Sequence, residues 1–221
     1  MSEHEHGAGR QPAVTRDAYD ELYRSAPAVW TGRPNHQLVT EVADLAPGTA
    51  LDAGAGEGGD ALWLAARGWQ VTAVDFSPVA LGRGAAKAAE LLLGDRIAWR
   101  HEDLEAWTPP EAAFDLVSAH YLHAAFTDRE ALFRRLAAAV APGGTLLVVG
   151  HQHGEQWGHG HAHAHEAGAL YSAEDVAAVL DQDEWTDVVT VTRDRDPGAA
   201  QRTGNAVPDT VLVARRRSGA R

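Results

Sequence analysis

The residues best suited to chemistry fall into two groups. The first is Asp52-Ala-Gly54-Ala55-Gly56-Glu-Gly58-Gly59, with Asp75 further on. Glycines admit positive φ and let a ligand approach main-chain N–H groups. A helix N-terminus behind them adds partial positive charge, so the turn suits anionic or polar oxygens. Gly54, Gly56 and Gly59 also satisfy a G-x-G-x-x-G dinucleotide pattern, and Asp75 follows at roughly the 20-residue spacing at which a strand-end carboxylate accepts ribose hydroxyls. Asp52 shifts that reading. A carboxylate two residues ahead of the first glycine repels a pyrophosphate and suits a ligand with a positive amine.

The second group is histidine. His120, Tyr121 and His123 follow the apolar run Phe114-Asp-Leu-Val-Ser-Ala119, where an imidazole can act as general base for a substrate heteroatom and Tyr121 can orient the acceptor. The competing reading is that His120 only lines a cofactor pocket and His123 packs on the next helix. Six of the twelve histidines, His151, His153, His159, His161, His163 and His165, lie in one tract interleaved with small residues. Neutral imidazoles there suit Zn²⁺ or Ni²⁺, which would make the tract a metal site; the alternative is a polar lid.

The elements needed to position these residues are legible from pattern. Ala50 to Ala53, Trp69 to Asp75, Ile97 to His101, Phe114 to Ala119 and Thr145 to Gly150 read as short strands. Helical spacing separates them over Asp60 to Arg67, Val79 to Leu93 and Asp128 to Val140. Asp60 is the expected N-cap of the first of these helices. Ahead of them lie a helix from Thr15 to Arg24 and another from about Pro34 to Leu45. After them come a helix opened by Ser172 and Asp175 and two β-branched segments, Trp185 to Arg193 and Thr210 to Arg215.

The glycine stretch resembles motif I and the following acidic position of class I S-adenosylmethionine-dependent methyltransferases, and the later motifs follow in order over residues 15 to 215. The resemblance implies an α/β, three-layer Rossmann-like fold with a seven-stranded, mostly parallel sheet and an antiparallel C-terminal strand pair. It implies a cofactor site formed by Asp52, Gly54, Ala55, Gly56, Asp75, Phe76, Ser77, Asp103, Leu104 and Ala119. Asp75 would hold the ribose, Phe76 would lie near the adenine, and Asp103 and Leu104 would bond its edge, with Glu102 the neighbouring alternative. Phe114-Asp-Leu-Val resembles motif IV, beside the transferable methyl group. Chain order and Trp30-Thr-Gly-Arg33 resemble the thiopurine and tellurite methyltransferase-like subgroup. Residues 15 to 46 would form a lid over the cofactor carrying Trp30, Arg33 and His36, with Trp30 and Arg33 counted among the cofactor-binding residues and Trp30 as a simple packing residue the alternative.

Composition narrows the function classes. With 221 residues the chain forms one domain. The absence of cysteine removes disulfides, thiolate zinc sites and iron–sulfur radical chemistry, so methyl transfer would be a direct in-line displacement. A net charge of −12 argues against nucleic acid as a substrate. No apolar run is long enough for a bilayer, and Met1 to His6 carries no leader pattern, so a cytoplasmic monomer or homodimer acting on a small molecule is expected. Residues 1 to 14 are expected to be a disordered tail, 151 to 170 a His-rich loop and 216 to 221 a basic tail. Two other functions compete: a Zn- or Ni-binding protein that uses the fold as a scaffold, and a nicotinamide-dependent reductase.

Overall fold

The computed structural model describes residues 16–26, 28–123, 126–152, 170–194 and 208–219. Strands β1 (Thr49–Ala53), β2 (Gln70–Asp75), β3 (Ile97–His101), β4 (Phe114–His120), β5 (Val140–His151), β6 (Trp185–Arg193) and β7 (Asp209–Arg216) form one sheet in the order β3-β2-β1-β4-β5-β7-β6. The first five strands run parallel, and β7 is antiparallel to both β5 and β6. This is the expected three-layer methyltransferase architecture.

Alternation along the central strands sets the two layers. Ala50, Leu116, Leu147 and Val211 pack with α2 (His36–Val42), α3 (Gly59–Ala66) and α4 (Pro78–Glu90) through Leu38, Ala61, Leu64 and Ala88. Leu51, Val117, Leu146 and Leu212 point the other way, onto α5 (Arg129–Ala138) and α6 (Ala173–Ala177), where Leu132, Leu136 and Val176 meet them. Adjacent residues thus serve opposite cores, as the pleat requires. The same alternation lifts Asp52, Ser118, His120, His151 and Asp209 onto the α2–α3 side. They gather at the strand ends, since Asp52 pairs with Ser118 and His151 with Asp209.

Several boundaries differ from the sequence pattern. Asp60 does not cap α3: the cap is Gly58, at φ 80°, and Asp60 sits in the first turn with its carboxylate turned to other partners. Pro34 precedes α2, whose cap is Asn35, the side chain of which accepts from the Gln37 N–H at 2.8 Å. β5 starts at Val140 and carries the Pro142-Gly-Gly turn inside it, where a register shift against β4 absorbs the irregularity. Arg216 is not part of a solvated tail: it ends β7 and donates to the carbonyls of Val140 at 2.6 Å and Ala138 at 3.3 Å. The expected disordered tail at 1–14, most of the His-rich loop and the connection before Pro208 lie outside the described residues.

Candidate cofactor and acceptor site

The turn between β1 and α3 takes its shape from three left-handed glycines, Gly54 at φ 79°, Gly56 at 53° and Gly58 at 80°. The third position with special backbone is therefore Gly58 rather than Gly59. Gly59 is needed for another reason, because a Cβ there would lie 2.8 Å from the Arg33 carbonyl.

The turn does not present the bank of free N–H groups that a phosphate cradle needs. The N–H groups of Gly54 and Ala55 both donate to the Val74 carbonyl, at 2.8 and 2.9 Å, and that of Gly58 donates to Ala55 at 2.8 Å. The Gly56 N–H donates to Asp75 Oδ2 at 2.8 Å. The sequence expectation that these groups wait for an anionic ligand is corrected by this pattern, which also removes the physical basis for a dinucleotide pyrophosphate here.

Asp75, at the end of β2, is 5% exposed and takes the Ser77 N–H on its other oxygen at 2.8 Å. Burial pushes its carboxyl above the ordinary range despite those two donors. Each carboxylate oxygen still has a lone pair for a hydroxyl. The neighbouring strand end brings Glu102 alongside, its N–H donating to the Asp75 carbonyl at 3.1 Å, and Asp103 follows, capping the Glu105 N–H at 3.0 Å. Asp75 and Asp103 thus occupy adjacent strand ends. Phe76 is half-buried between them and α1 (Arg16–Ser25), edge-on to Tyr19 at 6.1 Å. Leu104 and Ala119 are core residues at 6% and 0% exposure, so a ligand can reach only their main chain.

The N-terminal segment lies over this turn. Tyr23 Oη would be 3.1 Å from a Cβ on Gly56, and Trp30 Nε1 donates to that hydroxyl at 3.0 Å. Glu57 accepts the N–H groups of Val29 and Trp30 and pairs with Arg83 at 2.7 Å, while Arg83 also donates to the carbonyls of Tyr23 and Ala26. Trp30 is 48% exposed, and Arg33 is exposed as well, contributing its carbonyl to the contact with Gly59.

A second set of polar groups gathers beside the glycine turn on the α2–α3 face. His120 Nδ1 lies 2.6 Å from Asp60 Oδ2, while Asp60 Oδ1 accepts the Asn35 N–H at 2.6 Å. Among the described residues, His120 Nε2 and Asp52 Oδ2 are both buried with no hydrogen-bond partner. Burial would push the His120 imidazole down, but the charge and hydrogen bond of Asp60, with Asp52 and Asp209, hold it above its usual value. Asp52, 2% exposed, is pushed up to about 8 by burial and by the charges of Asp60 and Asp75, against His120 and the Ala61 N–H.

The other two proposed catalytic residues part company. Tyr121 donates to Asp209 Oδ1 at 3.0 Å, and Gln37 Nε2 reaches Asp209 Oδ2 at 3.3 Å. His123 is 3% exposed and stacks on His151 with ring centroids 4.6 Å apart, and its Nε2 accepts the His151 N–H at 3.3 Å. That ring nitrogen is engaged with main chain. His120 has the better geometry for handling a proton. Sequence reasoning missed Asp60 as the His120 partner and missed Asp209 and Gln37 altogether.

Among the described residues no group of three or more His, Asp or Glu is arranged to hold a metal ion. His151 and His123 stack face to face rather than converging on a point. His153, His159, His161, His163 and His165 lie outside the described residues.

Residues 50–144 match the family model described as a methyltransferase domain. The match covers less than half of the chain. Its matched stretch includes the glycine turn, Asp75, Asp103 and His120, and ends at the Gly143-Gly144 turn. A trans-aconitate 2-methyltransferase of Rhizobium meliloti is 37% identical over 118 residues, which is 52% of this chain and 43% of that protein. The chain thus matches less than half the length of that curated relative.

Among solved structures, the 1,6-didemethyltoxoflavin-N1-methyltransferase of Burkholderia thailandensis, with bound 1,6-didemethyltoxoflavin and S-adenosylhomocysteine, superposes with a TM-score of 0.65 at 25% identity, covering 92% of this chain and 87% of that one. A structure from work on converting a disulfide bond into a thioacetal group during echinomycin biosynthesis gives 0.67 at 24% identity, over 92% of each chain, and supports the fold alone. No helix among the described residues is long and apolar enough to cross a membrane.

Proposed function

We propose that the protein is an S-adenosylmethionine-dependent methyltransferase that methylates a small-molecule acceptor by direct in-line displacement. The observation that carries this reading is the junction of Gly56 and Asp75: the turn spends its N–H groups internally, and the carboxylate they help to hold stands ready for ribose hydroxyls. The residues fit the cofactor. Asp75 and Ser77 serve its ribose end, Asp103 and the Leu104 main chain its adenine, and Asp52, with one buried oxygen lacking a partner among the described residues, its amino-acid end. The bound cofactor supplies an electrophilic methyl group and a sulfide leaving group. The chain's own contribution is alignment, which can supply several kcal/mol of barrier lowering, about 7–11 in the best cases.

For the acceptor, support comes from two directions. The R. meliloti relative is named for trans-aconitate, while chain order and Trp30-Thr-Gly-Arg33 resemble the thiopurine and tellurite subgroup. The polar groups of His120, Tyr121 and Asp209, gathered on the α2–α3 face, favour a polar acceptor over a purely apolar one. We place the protein in the cytoplasm as a monomer or homodimer. The test is incubation with S-adenosylmethionine and, one at a time, trans-aconitate, a thiopurine, tellurite, a phenol and an amine, with S-adenosylhomocysteine formation read by mass spectrometry. Acceptor-dependent product is expected with at least one of them. Absence of product with all of them, together with NAD binding, would replace this reading with the nicotinamide one.

A further inference from the structure

We propose that the buried cluster Asp52–Asp60–His120 receives the ammonium group of the cofactor's amino-acid end and releases one proton to solvent as it does so. The inference rests on the cofactor reading above and makes that binding pH-gated. Its basis is a count of donors and charges in a confined space. Asp60, on the first turn of α3, has both oxygens engaged, one by the Asn35 N–H and the other by the His120 ring, each at 2.6 Å. Asp52, on β1, faces the same layer with Oδ2 buried and without a hydrogen-bond partner among the described residues. The cluster is 2–15% exposed across Asp52 and the side chains of His120 and Asp60.

Three largely buried carboxylates, Asp52, Asp60 and Asp209, stand around the single imidazole of His120, and burying an uncompensated negative charge is costly. Asp60 and Asp209 each have a partner on both oxygens, whereas Asp52 Oδ2 has none among the described residues. Asp52 therefore holds a proton in the unliganded protein. Burial and the charges of Asp60 and Asp75 favour that form, and the upward shift of Asp52 to about 8 agrees with it. The charge of Asp209, on β7, adds to those of Asp60 and Asp52 in favouring the protonated form of the His120 ring. An ammonium arriving beside Asp52 is a second cation. It stabilises the carboxylate, the O–H bond of Asp52 breaks, and the proton leaves to buffer while the ammonium keeps its own three. The orphaned oxygen gains its donor in the same event.

The sign follows from linkage. The free protein holds one more proton than the complex, so binding tightens as pH rises toward the point where free Asp52 ionises by itself, at about tenfold per pH unit for one proton. The test is calorimetric titration of the intact protein with S-adenosylhomocysteine in phosphate and in Tris, whose ionisation enthalpies differ, at pH values from 6 to 7.5. 5′-Methylthioadenosine, which has the nucleoside and thioether but no amino-acid end, is the control. Release of close to one proton with the homocysteine compound, near zero with the control, and loss of both release and pH slope in Asp52→Asn are expected. Binding of S-adenosylhomocysteine without proton release, or equal release with both compounds, overturns the inference and leaves the cofactor reading intact. Failure of both compounds to bind removes the cofactor reading and the inference with it.

Discussion

Tyr121 holds a left-handed backbone, φ 53°, immediately past β4, with its N–H on the Val149 carbonyl at 2.8 Å. A bulky residue in that region costs on the order of 1–3 kcal/mol and persists only where its surroundings fix it. Here the phenol is fixed by Asp209, which is 1% exposed at the start of β7. Tyr121→Phe removes a donor from a buried carboxylate and is expected to destabilise the protein by about 1–3 kcal/mol, seen as a melting temperature lower by roughly 2–4 °C per kcal/mol at this chain length. An unchanged melting temperature would show that the phenol does not help to satisfy Asp209. Legibility at this scale follows sequence distance. Asp52, Asp75 and His120 are readable because each sits in a short local motif. Asp209 is not, because its partners Tyr121 and Gln37 lie 88 and 172 residues away and nothing beside it marks it out.

At the scale of elements, the helix–strand alternation was readable from apolar spacing, whereas the caps were not. Asp60 has the right residue type for an N-cap, but Gly58 takes that position because the turn needs a left-handed residue there, which frees Asp60 to hold His120. Trp99 explains two further glycines, since its ring would lie 2.3 Å from a Cβ on Gly58 and 2.5 Å from one on Gly84, so β3 and α4 close on each other only where side chains are absent. The N-terminal segment is clasped to the glycine turn through Glu57 and Arg83, and the same Arg83 joins it to α4. Both charges are more than half buried, and the pair is backed by main-chain bonds, so it contributes more than an open surface pair would. Arg83→Ala is expected to speed tryptic cleavage after exposed Arg24 several-fold, with S-adenosylhomocysteine slowing the cut in the native protein. Cleavage at an unchanged rate would mean that the clasp does not hold the segment down.

Over the whole molecule, the sheet order and its antiparallel end are those the motif order implied, because β1 to β5 are parallel strands joined by α3, α4, a helix-free loop and α5, and such connections admit few arrangements. Substrate choice is a different matter. The polar groups proposed to face the acceptor come from β4, the residue after it and β7, so acceptor identity is not written in any one stretch. Fold likeness does not carry it either. The central claim is that Asp75 and the glycine turn form a metal-independent site for the methyl donor. Its most direct test is titration of metal-free protein with S-adenosylhomocysteine, comparing the native chain with Asp75→Ala and each with and without one equivalent of Zn²⁺ or Ni²⁺. The account predicts binding without metal, weakened at least about tenfold by the substitution, which corresponds to about 1.4 kcal/mol. Binding that appears only with metal, or that Asp75→Ala leaves unchanged, would contradict it.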